Sequence, residues 1–312
     1  MAHSTTELLA SIKRRANIPT ASGVFSDTEL LSMATEELRS YIVPLVLRQR
    51  EEFWLSSADL TLTSETSYPL PRRAIGGKLA EVSVLDNQGR EMNVPRISPA
   101  DLQNASTGFY MDGRGVRLFL RNNQPPTILG TKLRLRYYVQ PGALILTTDT
   151  ANCVQLWTTT STTITYQAAG GWSPANNDMI DIVRGRAPFD TALVGVRISG
   201  LSASTFTPLD YWTGATASTT GLAGGNDNEP EPDWVCRAGY SPVVQAPLEF
   251  HDVLAQKVAV KVFESKGMTE KLGSAREELG RMEGDAVALI SPRVDGETQR
   301  AVSRNGLFRM RW

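Results

Sequence analysis

TKLRLRYYV, residues 131–139, is the stretch whose reading decides the fold. Leu133, Leu135, Tyr137 and Val139 alternate with Lys132, Arg134 and Arg136, a period of two that makes a strand with one apolar and one basic face. The run GVRLFLRNN, residues 115–123, repeats the pattern with Val116, Leu118 and Leu120 against Arg117 and Arg121, and is read as the partner strand. SETSYPLP and KLAEVSVLDNQGREMNVP have the same period, and DNQG at 86–89 has the composition of a hairpin turn. An antiparallel β domain is therefore expected over 56–145.

The segments flanking this domain read differently. No glutamate occurs between Glu91 and Glu229 and no lysine between Lys132 and Lys257, whereas both ends are rich in Glu, Lys and Arg. Glu and Lys favour helices and are depleted in strands, so helical ends around a β middle follow. Over residues 1–55, Ser4 with Glu7 and Ser26 with Glu29 have capping-box spacing. Leu31, Ala34, Leu38, Tyr41 and Leu45 form one helical stripe after the second cap. Pro44 lies inside that stripe, leaves the Ser40 carbonyl without its donor, and predicts a fixed bend or a break there. Over 247–290, LEFHDVLAQKVAVKVFESKG reads as a helix ended by Gly267. A second helix from Met268 to about Ile290 carries Met268, Leu272, Ala275, Leu279, Met282, Ala286 and Leu289 in 4-3 spacing. These helices are expected to pack on the N-terminal ones as an antiparallel bundle.

Residues 146–246 have a composition of their own. Between 146 and 228 there are six aspartates, three arginines, no lysine and no glutamate. TTTSTTITYQAAGG and ALVGVRISGLSASTFTPLD read as strands of an inserted Thr/Ser/Gly-rich β module, and TGATASTTGLAGGNDNEPEPD as an exposed linker. From 291 to 312 no helical period continues, and an extended arm is expected. Its end, NGLFRMRW, alternates Phe308, Met310 and Trp312 with Arg309 and Arg311. The fold class expected is thus α+β: an antiparallel helical bundle from both ends, a central antiparallel β domain, an inserted β module and a C-terminal arm.

The net charge of −1 gives no overall bias toward nucleic acid or anionic membrane. No apolar run approaches the ~20 residues of a membrane span, no signal-peptide pattern opens the chain, and a cytoplasmic site of synthesis is expected. Cys153 and Cys236 match no zinc spacing and read as ordinary thiols. His3 and His251 are the only histidines, and His251 beside Asp252 reads as structural. No phosphate loop, nucleophile elbow or metalloprotease motif is present in the sequence. Neighbouring carboxylates such as Glu36/Glu37 and Glu277/Glu278 point apart on their helices. No catalytic, cofactor or metal residues are assigned, and the expectation is a protein of assembly, not an enzyme.

Five blocks taken in order carry a resemblance. FSDTELLSMATEELRSYIVPLVLRQREEFW resembles the N-terminal helix of the head-to-tail adaptor (connector) proteins of tailed bacteriophages. SYPLPRRAIGGKLAEVSVLDNQGRE resembles the entry to their β domain, and LRLRYYVQPGALIL the strand that closes it. WVCRAGYSPVVQAPLEFHDVLAQKVAVKVFESKG resembles the returning helix and SPRVDGETQRAVSRNG the C-terminal arm. The stretch 146–228 matches least. The resemblance implies a virion protein of the head–tail junction, assembled in the host cytoplasm. It would form a ring, usually twelvefold, under the portal protein, meet a tail or nozzle protein, and pass genomic DNA without reading its sequence.

Carried onto this chain, the resemblance makes 293–312 the portal-docking arm. Leu307, Phe308, Met310 and Trp312 would be its apolar anchors and Arg300, Arg304, Asn305, Arg309 and Arg311 its polar contacts. Arg117, Arg121, Lys132, Arg134 and Arg136 form a basic face expected to meet a neighbouring subunit, with channel DNA as the alternative. Other tail or neck components, such as a tail-tube or stopper protein, and a glycan-binding tail module remain alternatives.

Overall fold

A computed structural model describes residues 4–18, 25–103, 105–113, 115–120, 125–155, 163–168, 172–185, 189–210, 214–217 and 233–291. The fold is mixed α+β, with helices drawn from both ends of the sequence and antiparallel sheets between them.

The helices are α1 (Thr5–Arg15), α2 (Asp27–Glu37), α3 (Val43–Gln49), α4 (His251–Ser265) and α5 (Thr269–Ile290). Ser4 Oγ accepts the amide of Glu7 at 3.3 Å, and Ser26 with Glu29 completes a reciprocal capping box. Pro44 does not end the helical run. Leu38–Ile42 widens into a π turn between α2 and α3, in which the Val43 amide reaches the Leu38 carbonyl. The lost donor at position 44 is thus absorbed by one locally wider turn. Gly267 ends the preceding helix as expected: at φ 64° its amide bonds to Glu264 O, and the Met268 amide bonds to Phe263 O. Leu8, Ile12, Leu30, Leu38, Ile42, Val46, Leu254, Val258, Leu279 and Ile290 belong to one buried cluster, which Trp54 and Leu144 also enter.

The 4-3 seam of α5 holds only at its centre. Ala275, Leu279 and Ala286 are buried, but Met268 is 40% and Leu289 55% exposed, and Ile290 is the buried residue at the end. A strict seven-residue repeat drifts ~20° per heptad around a straight helix, so its ends leave the buried side.

The central strands form two facing sheets. One has the order β1-β7-β3-β4, from β1 (Leu55–Thr61), β3 (Ala74–Leu85), β4 (Glu91–Asn93) and β7 (Lys132–Val139). The other has the order β2-β6-β5, from β2 (Ser67–Pro69), β5 (Thr107–Asp112) and β6 (Gly115–Leu120). Leu133 and Leu135 share one core with Val116, Leu118 and Leu120. The two strands read from sequence as a hydrogen-bonded pair therefore lie in different sheets. Alternation reveals which side of a strand is buried, and two such sides pressed together leave the same pattern as two strands side by side. The DNQG turn does close the β3–β4 hairpin, with Asp86 Oδ1 accepting the amides of Gln88 and Arg90.

A parallel two-strand contact, β8 (Ala143–Leu144) with β15 (Tyr240–Ser241), brings the chain into and out of the inserted module. Between them β9 (Ala151–Gln155), β10 (Ile164–Ala168), β11 (Met179–Val183), β12 (Thr191–Ser199), β13 (Thr205–Leu209) and β14 (Trp234–Arg237) close a barrel in the order β10-β13-β12-β11-β14-β9. Ile164, Ile180, Ile182, Val196, Ile198, Phe206 and Val235 fill it. Most of the expected linker, and all of the expected arm 291–312 apart from Ser291, lie outside the described residues.

Candidate functional site

Two residues of the expected basic face, Arg134 and Arg136, are paired with carboxylates of their own sheet. Arg134 forks onto Asp59, with Nε to Oδ1 at 2.8 Å and Nη2 to Oδ2 at 2.9 Å, and its Nη1 lies 3.5 Å from Glu91 Oε2. Arg136 pairs with Glu81 and, at 2.9 Å, with Glu91. Hydrogen bonding to Asp59 raises the Arg134 pKa, and Glu91 is lowered, first by the Ser83 hydroxyl and then by the two arginines. The counter-charges come from β1, β3 and β4, whose register in the sheet no single-strand pattern reveals. Lys132 is exposed at the start of β7. Arg117 stands on β6 in the opposite sheet, 3.9 Å from Asp112, so it does not share a surface with Arg134. Arg121 and the arm residues Arg300, Arg304, Asn305, Leu307, Phe308, Arg309, Met310, Arg311 and Trp312 lie outside the described residues.

The most connected polar site was not foreseen. Asp181, fully buried on β11, accepts the amides of Gly195 and Gly239 at 2.7 Å each and the guanidinium of Arg73. Arg73 leads into β3 and also donates through Nε to the Gln140 carbonyl at 3.0 Å. Beside it sits Gln245, on the segment that returns to the helices. Its Oε1 accepts the Gly142 amide at 2.6 Å and its Nε2 donates to Thr191 Oγ1 at 2.7 Å. Its own carbonyl accepts the Trp54 indole N–H at 3.1 Å. One junction thus ties the sheets, the barrel and the helical core together. Every charge in it is paired and hydrogen-bonded, an arrangement that fixes geometry and leaves no group poised for chemistry. The sequence held two signals for it: a lone aspartate inside the apolar run MIDIV, and a tryptophan ending the first helical block.

A cavity of about 420 Å³ opens beside this junction, between β1 on one side and β12 on the other. Ala58, Pro71, Met179, Leu193 and Val196 give it apolar walls, and Asp59, Arg73 and Asp210 are its polar margin. Tyr137 also lines it, and burial raises its phenol pKa. His251 is buried with Nε2 3.0 Å from the Ala246 carbonyl and its ring against Phe189, a packing position at the foot of the barrel. Cys236 is buried on β14. Among the described residues no group of three or more His, Cys, Asp or Glu is placed to hold a metal ion, and no helix is long and apolar enough to cross a membrane.

No protein-family model matches the chain, and no curated protein matches it significantly.

Proposed function

We propose that this chain is a structural component of a phage virion, a head-to-tail adaptor that forms a ring beneath the portal protein and carries the DNA channel toward the tail. One observation carries the reading. Helices from the two ends of the chain contribute to a single core, with the described strands looped out between them. That is the order of blocks in which the sequence resembles the adaptors. In this reading α1–α3 with α4 and α5 make an antiparallel bundle, and the arm continues from the end of α5 to dock on the portal.

The polar junction supports the same reading. A subunit that must present several surfaces in fixed register benefits from buried, fully satisfied polar contacts between its parts, since these favour one arrangement over others. Phe308, Met310 and Trp312 then supply the apolar anchors and the arginines of the arm meet acidic groups on the portal. Each contact is weakened by the cost of ordering the arm, and repetition around a ring offsets that cost.

The test is co-purification. Full-length chain and a version ending at Ser291 are each co-expressed with the portal protein of the same phage. Retention of the full-length chain alone supports the adaptor reading. Equal retention of both removes the arm from the docking surface, and retention of neither removes the portal as partner.

A further inference from the structure

Among the described residues, the sheet β1-β7-β3-β4 has two edges without a partner strand, and they differ. On β1 the amides of Ser56, Ala58 and Leu60 face β7, a parity set by the Leu62 amide bonding to the Thr131 carbonyl. The backbone groups of Ser57, Asp59 and Thr61 therefore face outward, and none has a hydrogen-bond partner among the described residues. On β4 the Val94 amide bonds to the Val82 carbonyl, so the backbone groups of Glu91 and Asn93 face outward by the same parity. An unpaired edge of this kind is a template for another strand unless it is covered.

The two edges also match in shape. Met92 stands opposite buried Val84, so its side chain is on the core side of the sheet, yet it is 47% exposed. Ala58 stands opposite buried Leu135, on that same side, and lines the apolar cavity beside β1. One edge thus carries an apolar knob and the other an apolar hollow.

Direction decides the occupant. The sheet has four antiparallel strands, so β1 and β4 run in opposite directions. If β4 of one copy is laid against β1 of the next, the new pair is antiparallel and Met92 falls on the side of Ala58. The operation repeats without reversing any strand or flipping the sheet, which is what a head-to-tail ring requires.

We infer that the two open edges of this sheet are the surfaces through which copies of the chain join, Met92 of one copy entering the cavity beside β1 of its neighbour. The inference rests on the ring reading above and specifies its subunit contact.

The test uses full-length chain with its portal protein and three variants. Ser57→Pro removes an outward amide and spares every β1–β7 bond, a substitution that edge strands tolerate. Met92→Lys puts a charge on the knob. Ala58→Pro removes an amide that faces β7 and serves as the misfolding control. Self-association is followed by sedimentation, rings are counted by electron microscopy, and amide exchange is read at Ser57, Asp59 and Thr61. The expected result is that Ser57→Pro and Met92→Lys melt like wild type but associate at least tenfold more weakly, and that the three wild-type amides slow on assembly. Rings of normal size from both variants, with unchanged exchange at those amides, overturn the edge contact and leave the ring reading intact. Wild-type chain that never self-associates, with or without portal, overturns both. If Ser57→Pro alone unfolds, Met92→Lys and the exchange data decide.

Discussion

Arg73 and Asp181 meet across the boundary between the facing sheets and the barrel, and each is held from behind by its own part. Gln140 grips the guanidinium from the side of the sheets, and the amides of Gly195 and Gly239 grip the carboxylate from the barrel. The pair is therefore a joint between the facing sheets and the barrel. Asp181→Ala leaves the guanidinium buried without its counter-charge and is expected to cost about 3–5 kcal/mol. Arg73→Met with Asp181→Leu, which removes both charges, is expected to recover much of that loss. Urea melts of the three variants measure it, and a double variant no better than Asp181→Ala would refute the joint.

Gly115 lies where β6 passes β2. A Cβ added there would sit 2.1 Å from the Tyr68 carbonyl oxygen. Gly115→Ala is expected to destabilise by about 1–3 kcal/mol or more, through displaced backbone. Gly113→Ala, two residues away in the same hairpin with open space around it, is the comparison and should melt close to wild type. Equal melts for the two would contradict the packing of β2 on β6.

Ser26 caps α2, and Ser26→Ala is expected to cost about 1 kcal/mol. Part of this cap depends on pH. The Ser26 amide and hydroxyl hold the Glu29 carboxyl below its ordinary pKa, the amide contributing most. A depressed carboxylate stabilises the fold above its unfolded pKa, and the contribution disappears as pH falls through the lower folded value. The melting difference between wild type and Glu29→Gln should therefore shrink below the usual glutamate range. A difference that persists in strong acid would mean that the cap does not rely on the charge.

Arg134 and Arg136 hold their own sheet together, so their loss should be read first in stability. Arg134→Ala frees Asp59 and weakens the hold on Glu91. These pairs are partly exposed, and a cost of about 1 kcal/mol is expected, reduced by salt. A thermal melt at low and high ionic strength measures it. Unchanged stability together with lost binding to a partner would restore these side chains as docking groups.

Local structure was largely legible in the sequence, and long-range pairing was not. The caps at Ser4 and Ser26, the stop at Gly267 and the DNQG hairpin each depend on residues within a few positions of one another. The neighbour of Leu133 across the core, and the carboxylates that meet Arg134, depend on register between strands tens of residues apart. The barrel shows the same limit. β10, β12 and β13 fall in stretches read as strands, whereas ANCVQ, MIDIV and WVCR lie outside them, and closure needs all six. The junction at Arg73, Asp181 and Gln245 combines residues from three separate parts of the chain, and of these only Asp181, alone in an apolar run, stood out in the sequence.

The most direct measurement is electron microscopy of the portal protein co-expressed with the full-length chain and, separately, with the chain ending at Ser291. The adaptor account predicts a ring of added density beneath the portal with the full-length chain and a bare portal with the truncated one. A bare portal in both, with the full-length chain assembling into tubes or binding cells instead, would contradict it.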